Sequence, residues 1–258
     1  MFRAERVIGS IETLAAAGAV GWGLRTDGWL PYAVVVGNIL AGRRFALSEQ
    51  KERILRGYWV GASGLEHLTN VGNRPLIVVS NHYQDGPLRG LWQVIAVNYY
   101  VNMMTGREVR WLQAGGGKFM APVHELAANA NGNILLERKK WRWIKELEGI
   151  LEGGGVIGIH PEGKPTRELQ PGVPMAGGLL LRSVQRHQTP VICAAAYMDK
   201  DVTGRGRLMV NFGKVIEPEE ILAVGPQMKV KQREQKVVDS VMTALALQLP
   251  ENLRGHYQ

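Results

Sequence analysis

The fold of this chain is constrained most by short apolar runs. They are rich in β-branched residues and stop abruptly at polar side chains. Leu76-Ile77-Val78-Val79 stops at Ser80-Asn81, and Val156-Ile157-Gly158-Ile159 stops at His160. Continuous apolar runs of this length are typical of strands buried on both faces of a sheet. Four further segments are predicted to be strands: 109–112, 133–137, 190–197 and 207–215.

Segments between these runs have helical spacing. Four helices are predicted, at 87–104, 141–151, 175–185 and 230–249, and a three-glycine run at 153–155 is typical of a helix end. Val237, Val241 and Leu245 lie on the apolar stripe of the last helix. Strands that alternate with helices predict an α/β domain over 45–258, with a mostly buried sheet flanked by helices.

Residues 1–44 are predicted to form a separate apolar segment. Two apolar runs flank a turn at 25–28, and each is shorter than the roughly 20 residues that span a bilayer. A signal peptide is disfavoured because Glu12 interrupts the first run. Two interpretations stay open: a helical hairpin lying in a membrane interface, and two ordinary core helices of a soluble domain.

Charge and cysteine content narrow the classes of partner. The 258-residue chain has a formal net charge of +8, which favours anionic partners such as a membrane surface or phosphorylated substrates. Nucleic acid is disfavoured because no zinc-finger spacing, recognition helix or RNA-binding motif is present. The single cysteine, Cys193, excludes a disulfide within the chain and is predicted to be an inert buried thiol.

A glycine-rich stretch at 114–119 is not a phosphate-binding loop. That motif requires Gly where Leu112 stands and Ser or Thr where Phe119 stands. His82 and Asp85, three residues apart after the first strand, are better candidates for chemistry. His82 can act as a base near neutral pH, and Asp85 can orient it. A plain hydrogen bond within the loop is the alternative role for this pair.

Polar blocks at successive strand exits resemble the glycerophospholipid acyltransferase family, which includes glycerol-3-phosphate and 1-acylglycerol-3-phosphate acyltransferases. The resemblance covers about 75–215 and rests on four blocks: Asn81-His82 with Asp85-Gly86-Pro87-Leu88, Leu136-Glu137-Arg138, Pro161-Glu162-Gly163, and Thr189-Pro190-Val191-Ile192. Two departures stand out. Two residues separate His82 from Asp85 instead of four, and Pro165 occupies the family's arginine position after the third block.

The resemblance implies O-acyl transfer from acyl coenzyme A or acyl carrier protein to a hydroxyl of a glycerol phosphate or lysophospholipid. His82 would be the general base, Asp85 would orient it, and no enzyme nucleophile, metal or further cofactor is implied. The implied acceptor and phosphate site contains the following residues: Arg138, Glu162, Gly163 and Lys164. The implied location is the cytoplasmic face of an anionic membrane, as a peripheral or monotopic protein.

A second hypothesis comes from the two departures. A catalytically weak or inactive relative would bind lipid phosphate or a protein partner at the same site. Independently of both hypotheses, purely structural roles are the alternatives for these site residues: Arg138 as the start of a solvated basic helix face, and Glu162-Gly163 as a simple turn.

Overall fold

The structure is a computed structural model that describes residues 37–38, 41–55, 58–84, 91–114, 121–136, 142–200 and 206–258. The predicted N-terminal segment 1–44 therefore lies outside the described residues, apart from 37–38 and 41–44. No described helix has both the length and the apolar character required to cross a membrane.

Within the described ranges, strands and helices alternate along the chain. The strands are β1 (Trp59–Ser63), β2 (Leu76–Ser80), β3 (Val109–Ala114), β4 (Ile134–Leu136), β5 (Val156–Ile159), β6 (Val191–Lys200) and β7 (Gly206–Ile216). The helices are α1 (Lys51–Ile54), α2 (Glu66–Thr69), α3 (Leu91–Thr105), α4 (Ala121–Asn131), α5 (Arg142–Glu152), α6 (Pro174–His187), α7 (Pro218–Ala223) and α8 (Val230–Ala246). The predicted α/β class is confirmed.

The strands form one mostly parallel sheet in the order β1-β7-β6-β2-β5-β3-β4. The pairing of β6 with β7 is antiparallel, and the other pairings are parallel. Strands β2, β3, β4 and β5 therefore end at the same side of the sheet. We call this side, marked by Ser80, Ala114, Leu136 and Ile159, the carboxyl edge. The opposite side, where β2, β3 and β5 begin, is the amino edge.

Both faces of the sheet are covered, which explains the continuous apolar runs. All residues of β2 and β5 are buried. Leu76 and Val78 pack into the cluster that contains Trp92 of α3, whereas Ile77 and Val79 pack into the cluster that contains Val237 and other residues of α8. Successive side chains of a strand point to opposite faces, so one short run supplies two cores.

Several predictions about individual elements are confirmed. The stripe of α8 is buried at Val237, Val241 and Leu245. Helix α5 ends at Glu152, and Gly154 follows with φ +72°, a conformation that favours glycine. Cys193 is buried in β6, and burial raises the pKa of its thiol to about 12, so the thiol stays protonated at neutral pH.

Other elements carried too weak a local signal to be predicted, among them β1 and α4. Strand β1 has Gly61 at its centre, where an added Cβ would lie 2.3 Å from the ring of Trp59. The predicted helix at 87–104 is present as α3, and it continues through Asn98, a residue type with only modest helix preference. Its side chain is buried and bonds both backbone groups of Val109, at 2.7 and 3.2 Å. Tertiary contacts therefore override the local preference.

Candidate active site

The exit of β2 is held by the side chain of Asn81. Its amide nitrogen donates to the carbonyl of Ala196, and its amide oxygen accepts from the Ala196 backbone N–H, both at 2.8 Å. Asn81 is buried, and the two bonds imitate strand pairing just beyond the Ser80–Ala194 register. The backbone that leads into His82 therefore starts from a fixed point on β6.

Residues 82–84 lie along the loop that follows β5. The Thr166 N–H donates to the His82 carbonyl, and the Gln84 N–H donates to the Thr166 carbonyl, both at 2.8 Å. Between them, the Tyr83 N–H donates to the buried side-chain oxygen of Gln93 in α3 at 2.8 Å. The loops after β2 and β5 thus form one short parallel ladder at the carboxyl edge.

Glu162 joins the same two loops through its carboxylate. One oxygen accepts from the His82 N–H at 2.7 Å. The other accepts from the Thr166 hydroxyl at 2.7 Å and from the Gln170 N–H at 3.0 Å. The residue is only 4% exposed, and burial raises the pKa of its carboxyl although these bonds favour the charged form. Glu162 was predicted to contact an acceptor; in the structure its oxygens bond groups of the chain itself.

Three aromatic rings stack at the carboxyl edge. The His82 and His160 ring centroids lie 4.6 Å apart with an angle of 18° between the planes. The ring of Trp111 stacks on the other face of His160 at 4.6 Å and 10°. Gly158 makes room for the indole, because a Cβ added there would lie 2.5 Å from the Trp111 ring. Strand β5 lies between β2 and β3, so each strand contributes to the stack.

The protonation states of the two histidines follow from their surroundings. His160 Nδ1 lies 3.0 Å from the Ser80 carbonyl, which can only accept, so Nδ1 carries the proton and Nε2 a lone pair. Burial and the neighbouring His82 lower the pKa of His160 to about 3. Burial also lowers the pKa of His82 from 6.5. Both rings are therefore neutral at pH 7, and His82 is the better base.

The His82 ring is available for chemistry. The residue is half-buried, and no hydrogen bond joins its ring nitrogens to another described residue. Gly163 and Lys164 lie exposed on the adjoining loop, where Gly163 has φ +68° and its N–H donates to the His160 carbonyl at 3.1 Å. A turn and an exposed lysine thus lie on the loop that pairs with residues 82–84.

Two predicted site residues, Asp85 and Arg138, lie outside the described residues. The described chain ends at Gln84 before the first and at Leu136 before the second. Leu136 ends β4, which is three strands from β2 at the same edge. At about 4.8 Å per strand, the exits of β2 and β4 are roughly 14 Å apart.

His160 and Trp111 were not predicted as site residues. One sequence feature could have indicated His160: like His82, it follows a buried apolar run. Only the order of the strands shows that the two histidines are neighbours. No group of three or more His, Cys, Asp or Glu side chains in the described part of the chain could hold a metal ion. The sequence matches no protein-family model and no curated protein.

Proposed function

We propose that this protein is an O-acyltransferase that uses His82 as a general base. The proposed donor is an acyl thioester on coenzyme A or acyl carrier protein, and the proposed acceptor is a hydroxyl of a lysophosphatidate-like lipid. One observation supports this proposal most. The neutral His82 imidazole lies at the carboxyl edge, and its ring nitrogens bond no other described residue. Hydrogen bonds through Asn81, Glu162 and Thr166 hold the backbone that carries it. Ligand sites of parallel sheets lie at this edge.

In the proposed reaction, His82 removes the proton of the acceptor hydroxyl as its oxygen attacks the thioester carbonyl. The new C–O bond forms, the C–S bond breaks, and the departing thiolate takes the proton back from the imidazolium. The lowered pKa of His82 keeps the base unprotonated at neutral pH. The cost is lower basicity, which a carboxylate partner would offset by stabilising the imidazolium.

The remaining residues have assigned roles in the proposal. Asp85 orients the His82 ring, and Arg138 and Lys164 bind the acceptor phosphate, for which a guanidinium fork is well suited. Gly163 permits close backbone approach. Glu162 acts mainly by holding the backbone of His82. The net charge of +8 draws the protein to an anionic membrane, at whose cytoplasmic face it acts as a peripheral or monotopic protein.

A second candidate function is binding of lipid phosphate without catalysis. Lys164 is exposed on the loop that pairs with residues 82–84, and the Glu162 oxygens are already bonded within the chain. An exposed cation is therefore available to a phosphate even if no transfer occurs. Binding alone would require neither a neutral His82 nor a fixed ring.

The deciding experiment compares the wild type with His82→Ala in release of free thiol from acyl coenzyme A and acyl carrier protein. Lysophosphatidate and glycerol 3-phosphate serve as acceptors, and mass spectrometry identifies the products. We expect His82→Ala to lower the rate on the order of 10²- to 10⁴-fold. Its binding to vesicles containing anionic lipid should be unchanged.

His67→Ala is the matched control, because His67 lies on α2 after β1, and β7 and β6 separate β1 from β2 in the sheet. Equal rates for wild type and His82→Ala would disprove the catalytic role. Vesicle binding without turnover by the wild type, for every donor and acceptor pair, would favour the second candidate.

A further inference from the structure

We propose that His160 is a positioning residue whose ring, held between Trp111 and His82, sets the orientation of the His82 imidazole. Its effect on catalysis rests on the proposed acyl transfer. The orientation of the His82 ring in the free protein is independent of that function.

The His82 ring needs a contact that fixes its rotation. The torsion that turns a histidine ring about its Cβ–Cγ bond has broad minima, so the covalent geometry alone leaves the ring poorly oriented. The described hydrogen bonds of His82 involve its backbone N–H and carbonyl. The near-parallel stack on His160 is therefore the described contact that constrains the plane of the ring.

His160 is itself held firmly enough to act as a reference. Its Nδ1–H donates to the carbonyl of Ser80, a buried residue of β2 only two positions before His82. Its opposite face rests on Trp111, whose indole lies over Gly158 of β5. The orientation of His82 is thus tied to the backbone of three neighbouring strands.

The stack also separates the roles of the two histidines. His160 Nε2 is buried and accepts no hydrogen bond from a described residue, so a proton placed there would be desolvated beside the second ring. His160 consequently stays neutral while His82 exchanges its proton. The other ionisable groups on the adjoining loops are Glu162, Lys164 and Arg167, with Asp85 next along the chain.

Two variants distinguish the ring of His160 from its hydrogen bond. His160→Phe keeps an aromatic ring and loses the Nδ1 donor, whereas His160→Asn keeps an amide donor and loses the ring. The readouts are the ring signals and titration midpoint of His82, followed by NMR, and the kcat and KM of thiol release. His67→Asn serves as the control outside the stack.

We expect His160→Phe to leave the His82 ring signals and midpoint close to wild type. In His160→Asn, one face of the His82 ring opens to water, so its midpoint should rise towards the ordinary value of 6.5. The kcat should fall on the order of 10- to 100-fold with little change in donor KM, because a misplaced base affects the chemical step.

An unchanged His82 midpoint in His160→Asn would overturn the inference. Equal effects of the two variants would also overturn it, because the ring kept in His160→Phe would not be sufficient. An effect confined to His160→Phe would overturn it by assigning the role to the Ser80 bond. If either variant fails to fold, as judged by circular dichroism, Trp111→Leu replaces it, and a His82 midpoint unchanged in that variant counts against the stack. Equal acyl transfer by wild type and His82→Ala would remove the proposed function, yet the NMR result would still decide the orientation.

Discussion

At each edge of the sheet, one ionisable side chain joins the segments that flank β2 and β5. This side chain is an arginine at the amino edge and a glutamate at the carboxyl edge. At the amino edge, the Arg107 guanidinium donates to the carbonyls of Gly72, Arg74 and Gly154, at 2.9, 2.6 and 2.7 Å. These carbonyls precede β2 and β5. At the carboxyl edge, Glu162 accepts from two backbone N–H groups and a hydroxyl in the loops after the same strands.

The difference follows from the groups left unpaired at each edge. Turns before the strands present spare carbonyls, which a guanidinium with five donors can satisfy together. Loops after the strands present spare N–H and O–H groups, which require an acceptor. The consequence is chemical. Arg107 stays charged at neutral pH although burial lowers its pKa. At the carboxyl edge, burial shifts the pKa values of Glu162, His82 and His160 towards their neutral forms. Clusters of shifted groups mark functional sites more often than scaffolding.

Glu162→Ala should cause the largest loss of stability. It would leave the part-buried N–H groups of His82 and Gln170 and the Thr166 hydroxyl without their acceptor. We expect the free energy of unfolding to fall by about 4 kcal/mol, with Glu162→Gln losing about half of that. Denaturant unfolding at pH 7 measures both. A loss equal to that of an exposed glutamate variant such as Glu152→Ala would show that the carboxylate does not join the loops.

Arg107→Ala should cost less, about 2 kcal/mol, because two of its three bonds are exposed to solvent. Arg107→Lys should recover part of this loss, since an ammonium cannot reach all three carbonyls. Thiol release measured on the folded fraction should remain at the wild-type rate. A drop in that rate comparable to the drop in His82→Ala would contradict the division between a structural and a functional edge.

Acidic pH should lower the free energy of unfolding through the titration of His160. The pKa of this group falls to about 3 on folding from 6.5, so the folded protein binds fewer protons than the unfolded chain between these values. Its contribution to stability is present above pH 6.5 and is lost as pH falls, by about 1.4 kcal/mol per pH unit. His160→Phe should remove this slope, as denaturant midpoints at matched pH would measure.

The raised pKa of Glu162 acts in the opposite sense: its contribution is present below 4.5 and is lost as pH rises through the folded value. It cancels when wild type and His160→Phe are compared at the same pH. Identical slopes for the two proteins would contradict the neutral stack. Arg107→Ala should show the wild-type slope, because Arg107 does not titrate in this range.

The smallest effect is expected at the Arg74–Glu217 ion pair near the amino edge. Its guanidinium bonds both carboxylate oxygens, at 2.8 and 3.1 Å, but both side chains are exposed by more than 40%. Glu217→Gln should lower the free energy of unfolding by about 0.5 kcal/mol, and 1 M salt should reduce the difference. A loss as large as that in Arg107→Ala would show that the ion pair, like Arg107, stabilises the segments at the amino edge.

Local sequence signals were sufficient for the element types and for one site residue. Apolar runs identified β2 and β5, helical spacing identified α8, and the position of His82 after a buried run marked it as a candidate. The signals failed where an element has no strong pattern of its own and depends on long-range pairing. Edge strand β1, with Gly61 at its centre, depends on pairing with β7.

The sequence by itself determined that a histidine follows a buried strand of an α/β sheet. Only the tertiary structure decided what surrounds that histidine. The order β2-β5-β3 brings His160 and Trp111 under the His82 ring and the Glu162 carboxylate against its N–H, although 80 residues separate His82 from Glu162. Periodicity records which side chains one element buries, whereas strand order depends on the packing of the whole chain.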